Sequence, residues 1–171
     1  EYIVLDDLMF KNGNSTTQID HIVVSVHGIF VIETKNYKGW IYGNSDNDYW
    51  TQNIYGHKYS FYNPILQNQN HIKFLIRKFD VIRDIAEYVY PVVVFLSASD
   101  LRISGNDNCV LWRSQLNYYI KSCQQNIMSI EDCHNIASVL EMNNLTDKEQ
   151  RRQHKINVKT AMFRHENKVA N

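Results

Sequence analysis

Hydrophobic residues recur along this chain with two different periods, and the switch falls at one point. Up to about residue 62 the period is close to two, as in strands. Tyr2-Ile3-Val4-Leu5 predicts a first strand, followed by the turn cluster Lys11-Asn12-Gly13-Asn14-Ser15. Gln18 to Val26 and Ile29 to Lys35 predict two more strands, with His27-Gly28 as a two-residue hairpin loop. Lys38 to Gly43 and Tyr49 to Gln52 predict short strands around the loop Asn44 to Asp48. At Asn63-Pro64 the period lengthens. Asparagine is a good N-cap and proline a good first helical residue. Ile72, Leu75, Ile76, Phe79 and Ile82 then form one apolar stripe, predicting a helix to about Glu87. Pro91 to Leu96 is a continuous apolar run, the mark of a strand buried on both faces. Cys109 to Leu111 predicts another short strand, and Ser114 to Gln124 and Ser129 to Glu141 predict helices. Thr146 with Glu149 has the capping-box spacing and opens a last helix to about Phe163. Strands, a helix, a buried strand and further helices define an α/β sandwich with a mixed β-sheet flanked by helices.

The predicted hairpin carries the candidate chemistry. With His27-Gly28 as its loop, Asp20 stands opposite Lys35 and Ile22 opposite Glu33. Asp20, Glu33 and Lys35 then project from one face at the open end. Cross-strand neighbours lie about 7–8 Å apart at most, so two carboxylates can converge on one hard cation. Such a Mg²⁺ or Mn²⁺ polarises a phosphate and activates a bound water, and the Lys35 ammonium can hold that water or offset developing charge. Thr34 is expected to turn its side chain to the other face and to offer its backbone carbonyl to the metal. A Glu and a Lys two apart on a strand also arise as a solvated pair worth little. Against that stands the apolar character of both hairpin faces, where unpartnered charges are costly.

The runs Gln18-Ile19-Asp20-His21-Ile22-Val23-Val24 and Gly28-Ile29-Phe30-Val31-Ile32-Glu33-Thr34-Lys35-Asn36-Tyr37-Lys38-Gly39 resemble the nuclease-related domain, NERD. Trp50-Thr51-Gln52, Asn63-Pro64 with Gln67 and His71, and Val92 to Phe95 continue the likeness over roughly residues 1 to 115. That family is grouped with the PD-(D/E)XK phosphodiesterases, so the resemblance implies the restriction-endonuclease-like fold. It implies Asp20 and Glu33 as metal ligands, Lys35 as the catalytic lysine, and Mg²⁺-dependent cleavage of DNA. Members usually carry a helix with a Gly-Glu pair before the first strand. This sequence opens at Glu1, directly in the predicted strand, so Glu1 is not expected to be that upstream glutamate.

Several further residues are candidates. Gln52, at a strand end, is expected to line the cleft and orient water or phosphate; a surface glutamine is the plain alternative. Gln67 and His71, four apart on a helix, share a face and border the substrate or serve packing. Gln18 and Asn63 are also taken as substrate-facing. His21 alternates away from Asp20 and reads as a core or interface histidine. Trp40, Tyr42, Tyr49, Tyr55, Tyr59 and Tyr62 suit base stacking, although at strand spacing aromatic residues are more often core.

Charge sharpens this picture. The 171 residues carry 18 Lys+Arg and 18 Asp+Glu, which excludes a binder relying on bulk positive charge. The neutrality hides an asymmetry. Residues 1–50 hold seven acids and three lysines, whereas residues 147–171 hold seven basic residues and three acids. Arg151, Arg152, Lys155 and Lys159 fall on one helical face, either solvated or phosphate-tracking. Residues 1–145 are thus read as a nuclease-like domain and 146–171 as a basic C-terminal helix packed on or extending from it. The three cysteines have no metal-ligand spacing and fit a reducing, cytoplasmic compartment. No apolar run approaches the ~20 residues of a membrane span. The expected partner is DNA, with further domains or a homo-oligomer left open. The competing functions are a non-catalytic nucleic-acid-binding or interaction module on the same fold, and a structural oligomerisation domain.

Overall fold

The computed structural model describes residues 1–105 and 108–169, and side chains through residue 160. It has strands β1 (Tyr2–Asn12), β2 (Ser15–Ser25), β3 (Gly28–Lys35), β4 (Gly39–Asn44), β5 (Tyr49–Ile54), β6 (His57–Tyr62), β7 (Val89–Phe95), β8 (Ala98–Ser104) and β9 (Val110–Trp112). Its helices are α1 (Pro64–Lys78), α2 (Asp80–Arg83), α3 (Leu116–Ser122), α4 (Ile130–Met142) and α5 (Lys148–Val169). The mixed α/β architecture expected of the sequence is present, built on two sheets. One has the order β1-β2-β3-β7-β9 and the other β6-β5-β4-β8.

The first sheet holds the core. β1, β2 and β3 pair antiparallel, whereas β7 lies parallel to β3 and β9 parallel to β7. Helices α1, α2 and α4 cover one face through Ile22, Val24, Phe74, Leu75, Ile82 and Leu140. Helix α3 covers part of the other, where Ile120 meets Phe30, Ile32 and Val94. The parallel pair β3·β7 makes a last backbone hydrogen bond from Leu96 N–H to Lys35 carbonyl at 3.0 Å. Its strands then continue as β4 and β8, which pair again, in parallel, in the second sheet. A crevice at the carboxyl ends of parallel strands is where open α/β sheets bind ligands, and Glu33 and Lys35 lie at that end of β3.

Several expectations are corrected. The β2–β3 register pairs Ser25 with Gly28 and His21 with Ile32, so the loop is Val26-His27 and the register is shifted by two residues. Gly28 takes φ 128°, and a Cβ there would lie 2.5 Å from the Tyr88 carbonyl oxygen. The shift keeps every side chain on its predicted face, because the strand period is two. The long helix ends at Lys78, since Phe79 takes an extended conformation (φ −120°, ψ 111°). That turn drives the Phe79 ring into the core, edge-on to Phe10 at 5.5 Å. β6 and β8 were not expected: β6 is mostly exposed, and β8 alternates only over Leu101 to Ser104. Helix α5 is capped by Asp147, whose Oδ1 accepts from Gln150 N–H at 2.8 Å, one residue after the predicted Thr146.

β1 and β2 share one irregularity. Asp7 has φ 52°, and the ladder skips the Asp7–Asp20 pair while keeping its register on both sides. Leu5 and Leu8, three apart, therefore reach the same core cluster, as do Ile19 and Ile22. Interruptions of this kind re-aim side chains in sheets. Here the interruption lies at Asp20, which stays on its predicted face.

Candidate active site

Glu33 sits on β3, 4% exposed, among four polar groups from three elements. Lys35 Nζ donates to Glu33 Oε1 at 2.7 Å and to Gln67 Oε1 at 3.0 Å. Gln67 Nε2 donates to the same Glu33 oxygen at 2.8 Å. The three side chains close a triangle in which the glutamine satisfies the acid and the base together. Beyond it, His71 Nε2 lies 3.5 Å from Glu33 Oε2, and His71 Nδ1 shares a 3.1 Å hydrogen bond with Thr17 Oγ1. Burial alone pushes the Glu33 carboxyl up. The His71 imidazole and the Lys35 ammonium together outweigh it and leave the acid below the usual glutamate range. Glu33 is thus held ionised inside the protein.

Asp20 is placed by the strand end. One step beyond the last β2–β3 pair, His21 with Ile32, it reaches Thr34. Its Oδ2 accepts from Thr34 N–H at 2.8 Å and from the Thr34 hydroxyl at 2.7 Å. Thr34 borders the opposite face with Ile32 and Val94, as expected, yet its hydroxyl reaches back to hold the acid. Among the described residues, Asp20 Oδ1 carries no hydrogen bond.

Helix α1 presents Gln67, Asn68 and His71 to the sheet because the first turns of its inner face are polar. Asn68 Nδ2 donates to the Val31 and Val92 carbonyls at 2.8 and 2.9 Å, fastening the helix across β3·β7 beneath the cluster. Sequence reasoning missed Asn68 and left His71 between bordering the substrate and packing. A signal was present: Ile65, Asn68, His71, Leu75 recur at helical spacing, so two polar residues occupy core positions, and buried polar groups need partners.

The cleft over this cluster, about 380 Å³, is lined by Thr17, Gln18, Asp20, Gln67 and His71, and by His154, Lys155 and Lys159 of α5. A larger cavity, about 650 Å³, lies across the sheet against Tyr2, Val4, Ile32 and Leu116. Its lining includes Thr34 but no carboxylate, whereas the smaller cleft is bordered by Asp20 and by Gln67 and His71, the two helix residues that contact Glu33.

Other predicted residues are placed differently. Asn63 is fully buried. Its amide donates to the Ser45 and Asn47 carbonyls at 3.0 and 2.8 Å, and its Oδ1 caps α1 by accepting from Ile65 N–H at 2.9 Å. All its polar capacity is spent on folding, which leaves none for a substrate. Gln52 belongs to the second sheet and donates to the Lys38 carbonyl at 2.8 Å; it neither bonds the Glu33 cluster nor lines the cleft. Gln18 lines the cleft but donates to Asp7 Oδ1 at 2.5 Å. Arg151 pairs with the Asp7 carboxylate and bonds the Leu145 carbonyl at 2.8 Å, so it anchors α5. Arg152 pairs with Glu149 on the same helix at 3.2 Å. Lys155 lines the cleft. His21 is not a core residue: it is partly exposed and pairs with Asp6 at 2.7 Å. Glu1 faces His134 of α4 at 3.3 Å. Arg164 and Lys168 lie outside the residues whose side chains are described.

Glu33 and Lys35, at the carboxyl end of β3, thus stand beside the Asp20 carboxylate of β2 in a mixed α/β sheet. The nuclease-related domain profile, NERD, matches residues 1–96, more than half of the chain. The chain belongs to this family, which is grouped with the PD-(D/E)XK superfamily. It is 31% identical over 159 residues to an uncharacterised protein of Bacillus anthracis, covering 90% of this chain and 72% of that protein. No solved structure matches it. No helix among the described residues is long and apolar enough to cross a membrane.

Proposed function

We propose that the chain is a metal-dependent nuclease that hydrolyses DNA phosphodiester bonds. The observation that carries this reading is the Glu33–Lys35–Gln67 triangle, built on a buried carboxylate, beside the Thr34-held Asp20. A buried carboxylate costs desolvation energy, and perturbed groups such as Glu33 gather where chemistry is done.

The donor set suits Mg²⁺ or Mn²⁺. Among the described residues no three of His, Cys, Asp and Glu are grouped so as to hold a metal ion, so the site rests on two carboxylates. Mg²⁺ is commonly held by one or two carboxylates and keeps several waters. Asp20 through Oδ1, Glu33 through Oε2 and the Thr34 carbonyl would hold it. When bound, the ion supplies Lewis-acid polarisation of the phosphate and an acidified water.

The chain's own groups do the rest. Thr34 fixes the Asp20 carboxylate with two hydrogen bonds, so the acid does not have to be ordered during reaction. Lys35, hydrogen-bonded to Glu33 and to the cleft-lining Gln67, offers N–H donors that can hold the attacking water and offset charge developing on the phosphate. Gln67 fixes the angle between Lys35 and Glu33, and His71 supports the far side of the acid. A positioning shell of this sort is worth about 10–100-fold in affinity or activity.

Incubation of the 171-residue protein with plasmid DNA and Mg²⁺ tests the reading, with Glu33→Gln and Lys35→Ala alongside. Cleavage by the parent and its loss in both variants is expected. Equal cleavage by all three would overturn the site. Salt-dependent DNA binding without cleavage in Mg²⁺ or Mn²⁺ would assign a non-catalytic nucleic-acid-binding module instead.

A further inference from the structure

Helix α5 divides its cations between two tasks. Arg151 faces inward, bonding the Asp7 carbonyl at 2.9 Å and the Leu145 carbonyl at 2.8 Å. His154, one turn on, shares a 2.7 Å hydrogen bond with Thr16 Oγ1 at the start of β2. These contacts tie the helix to the β1–β2 turn. Arg152 is spent on Glu149. Lys155 and Lys159 are exposed, line the cleft that also contains Asp20, Gln67 and His71, and have no acidic partner among the described residues. They follow Arg151 at intervals of four, so they stack along one helix face. Their separation is about 6 Å along the axis. The residues facing them across the cleft are Thr16, Thr17, Gln18 and Asp20, of which only Asp20 is acidic.

We propose that α5 is the wall of the cleft that tracks the DNA backbone, with Lys155 and Lys159 each neutralising a phosphate flanking the scissile one. The proposal rests on the nuclease reading for the identity of the polymer. It makes the substrate a continuous strand and not a mononucleotide, because two cations one helical turn apart need successive phosphates. A phosphate contact of this kind carries no sequence information. It gives affinity that falls with salt, because each neutralised phosphate releases condensed counterions, with a slope of about −0.9 in log K against log salt per contact.

The test uses the full chain and two unrelated 20-base-pair duplexes, with binding read by fluorescence anisotropy in EDTA across a salt series. Lys155→Ala with Lys159→Ala should lower the magnitude of the salt slope by about 2 and weaken both duplexes equally. Lys155→Arg with Lys159→Arg should restore both. A slope unchanged in the alanine variant, or no DNA binding by the parent chain, would overturn the proposal. Mg²⁺-dependent cleavage, measured in parallel, separates the two readings. A reduced slope without cleavage by the parent keeps the wall and removes the nuclease; cleavage with an unchanged slope does the reverse. Thermal unfolding of both variants should match the parent, since neither lysine packs in the core.

Discussion

The two sheets solve different problems. The first is covered by helices on both faces near its centre, with Phe30, Val31, Val92 and Val93 all excluded from solvent. Any charge there must be partnered, and the partnered set around Glu33 is where the chemistry concentrates. The second sheet is covered on one face alone. Its inner side buries Ile41 and Trp50, and its outer side leaves Trp40 44% exposed, with the Arg102 guanidinium 4.3 Å from the indole. Trp40 at strand spacing is thus a surface residue and not core. Alternation along a strand identifies two faces, but which of them meets protein depends on whether a helix lies over it. A sheet buried on both sides can hold an ionised cluster in a fixed geometry; one open to water screens its charges and fixes little.

This contrast can be broken most severely through packing. Phe30→Ala removes a fully buried ring stacked on Tyr90 at 5.1 Å and should cost about 3–5 kcal/mol. Trp40→Ala should cost only about 0.5–1 kcal/mol. Urea denaturation of both variants checks the pair, and similar losses would remove the distinction between the sheets. Next in size is the chemistry. Glu33→Gln should lower DNA cleavage by about 10²–10³-fold while the amide preserves shape. Gln67→Ala should lower cleavage by about 10–100-fold, because Lys35 and Glu33 lose their common bridge. Gln52→Ala, on the second sheet, should lose less than Gln67→Ala in the same assay; the reverse order would place the water-orienting amide on the second sheet.

The smallest effect is one of pH. The Glu33 carboxyl is held below the ordinary glutamate value of 4.5, so the unfolded chain binds its proton at a higher pH than the folded one. The stability this contributes is fully present above about pH 4.5 and is lost as pH falls through the lowered folded value. At neutral pH, Glu33→Gln leaves Lys35 without its counter-charge and should be the less stable protein. Acidification protonates Glu33 in the parent and should narrow that gap. Urea midpoints for both chains between pH 7 and pH 3.5 measure it, and a constant gap would mean that Glu33 is not held ionised by Lys35 and His71.

Much of the fold was legible because period is a local property. Strands β2, β3 and β7 and the start of α1 follow from alternation, from an unbroken apolar run, and from Asn63-Pro64. The hairpin register was misplaced by two residues, yet Asp20, Glu33 and Lys35 stayed on one face, because a shift of two returns each side chain to its own side. β6 was illegible because it is an edge strand that stays mostly exposed, and β8 because its alternation spans only Leu101 to Ser104.

The residues themselves determined that β3 ends in an acid and a base on one face, that Pro64 opens a helix, and that the last segment is basic. Those are matters of order and spacing. The tertiary structure alone decided the partners: Thr34 turned to Asp20, Gln67 bridging Glu33 and Lys35, Asn63 absorbed into a cap, and Arg151 spent on Asp7 while Lys155 and Lys159 were left for the cleft. Such assignments depend on which side chains meet across 14 to 144 positions of sequence, and a donor's partner is chosen by burial and distance, which spacing along the chain does not encode.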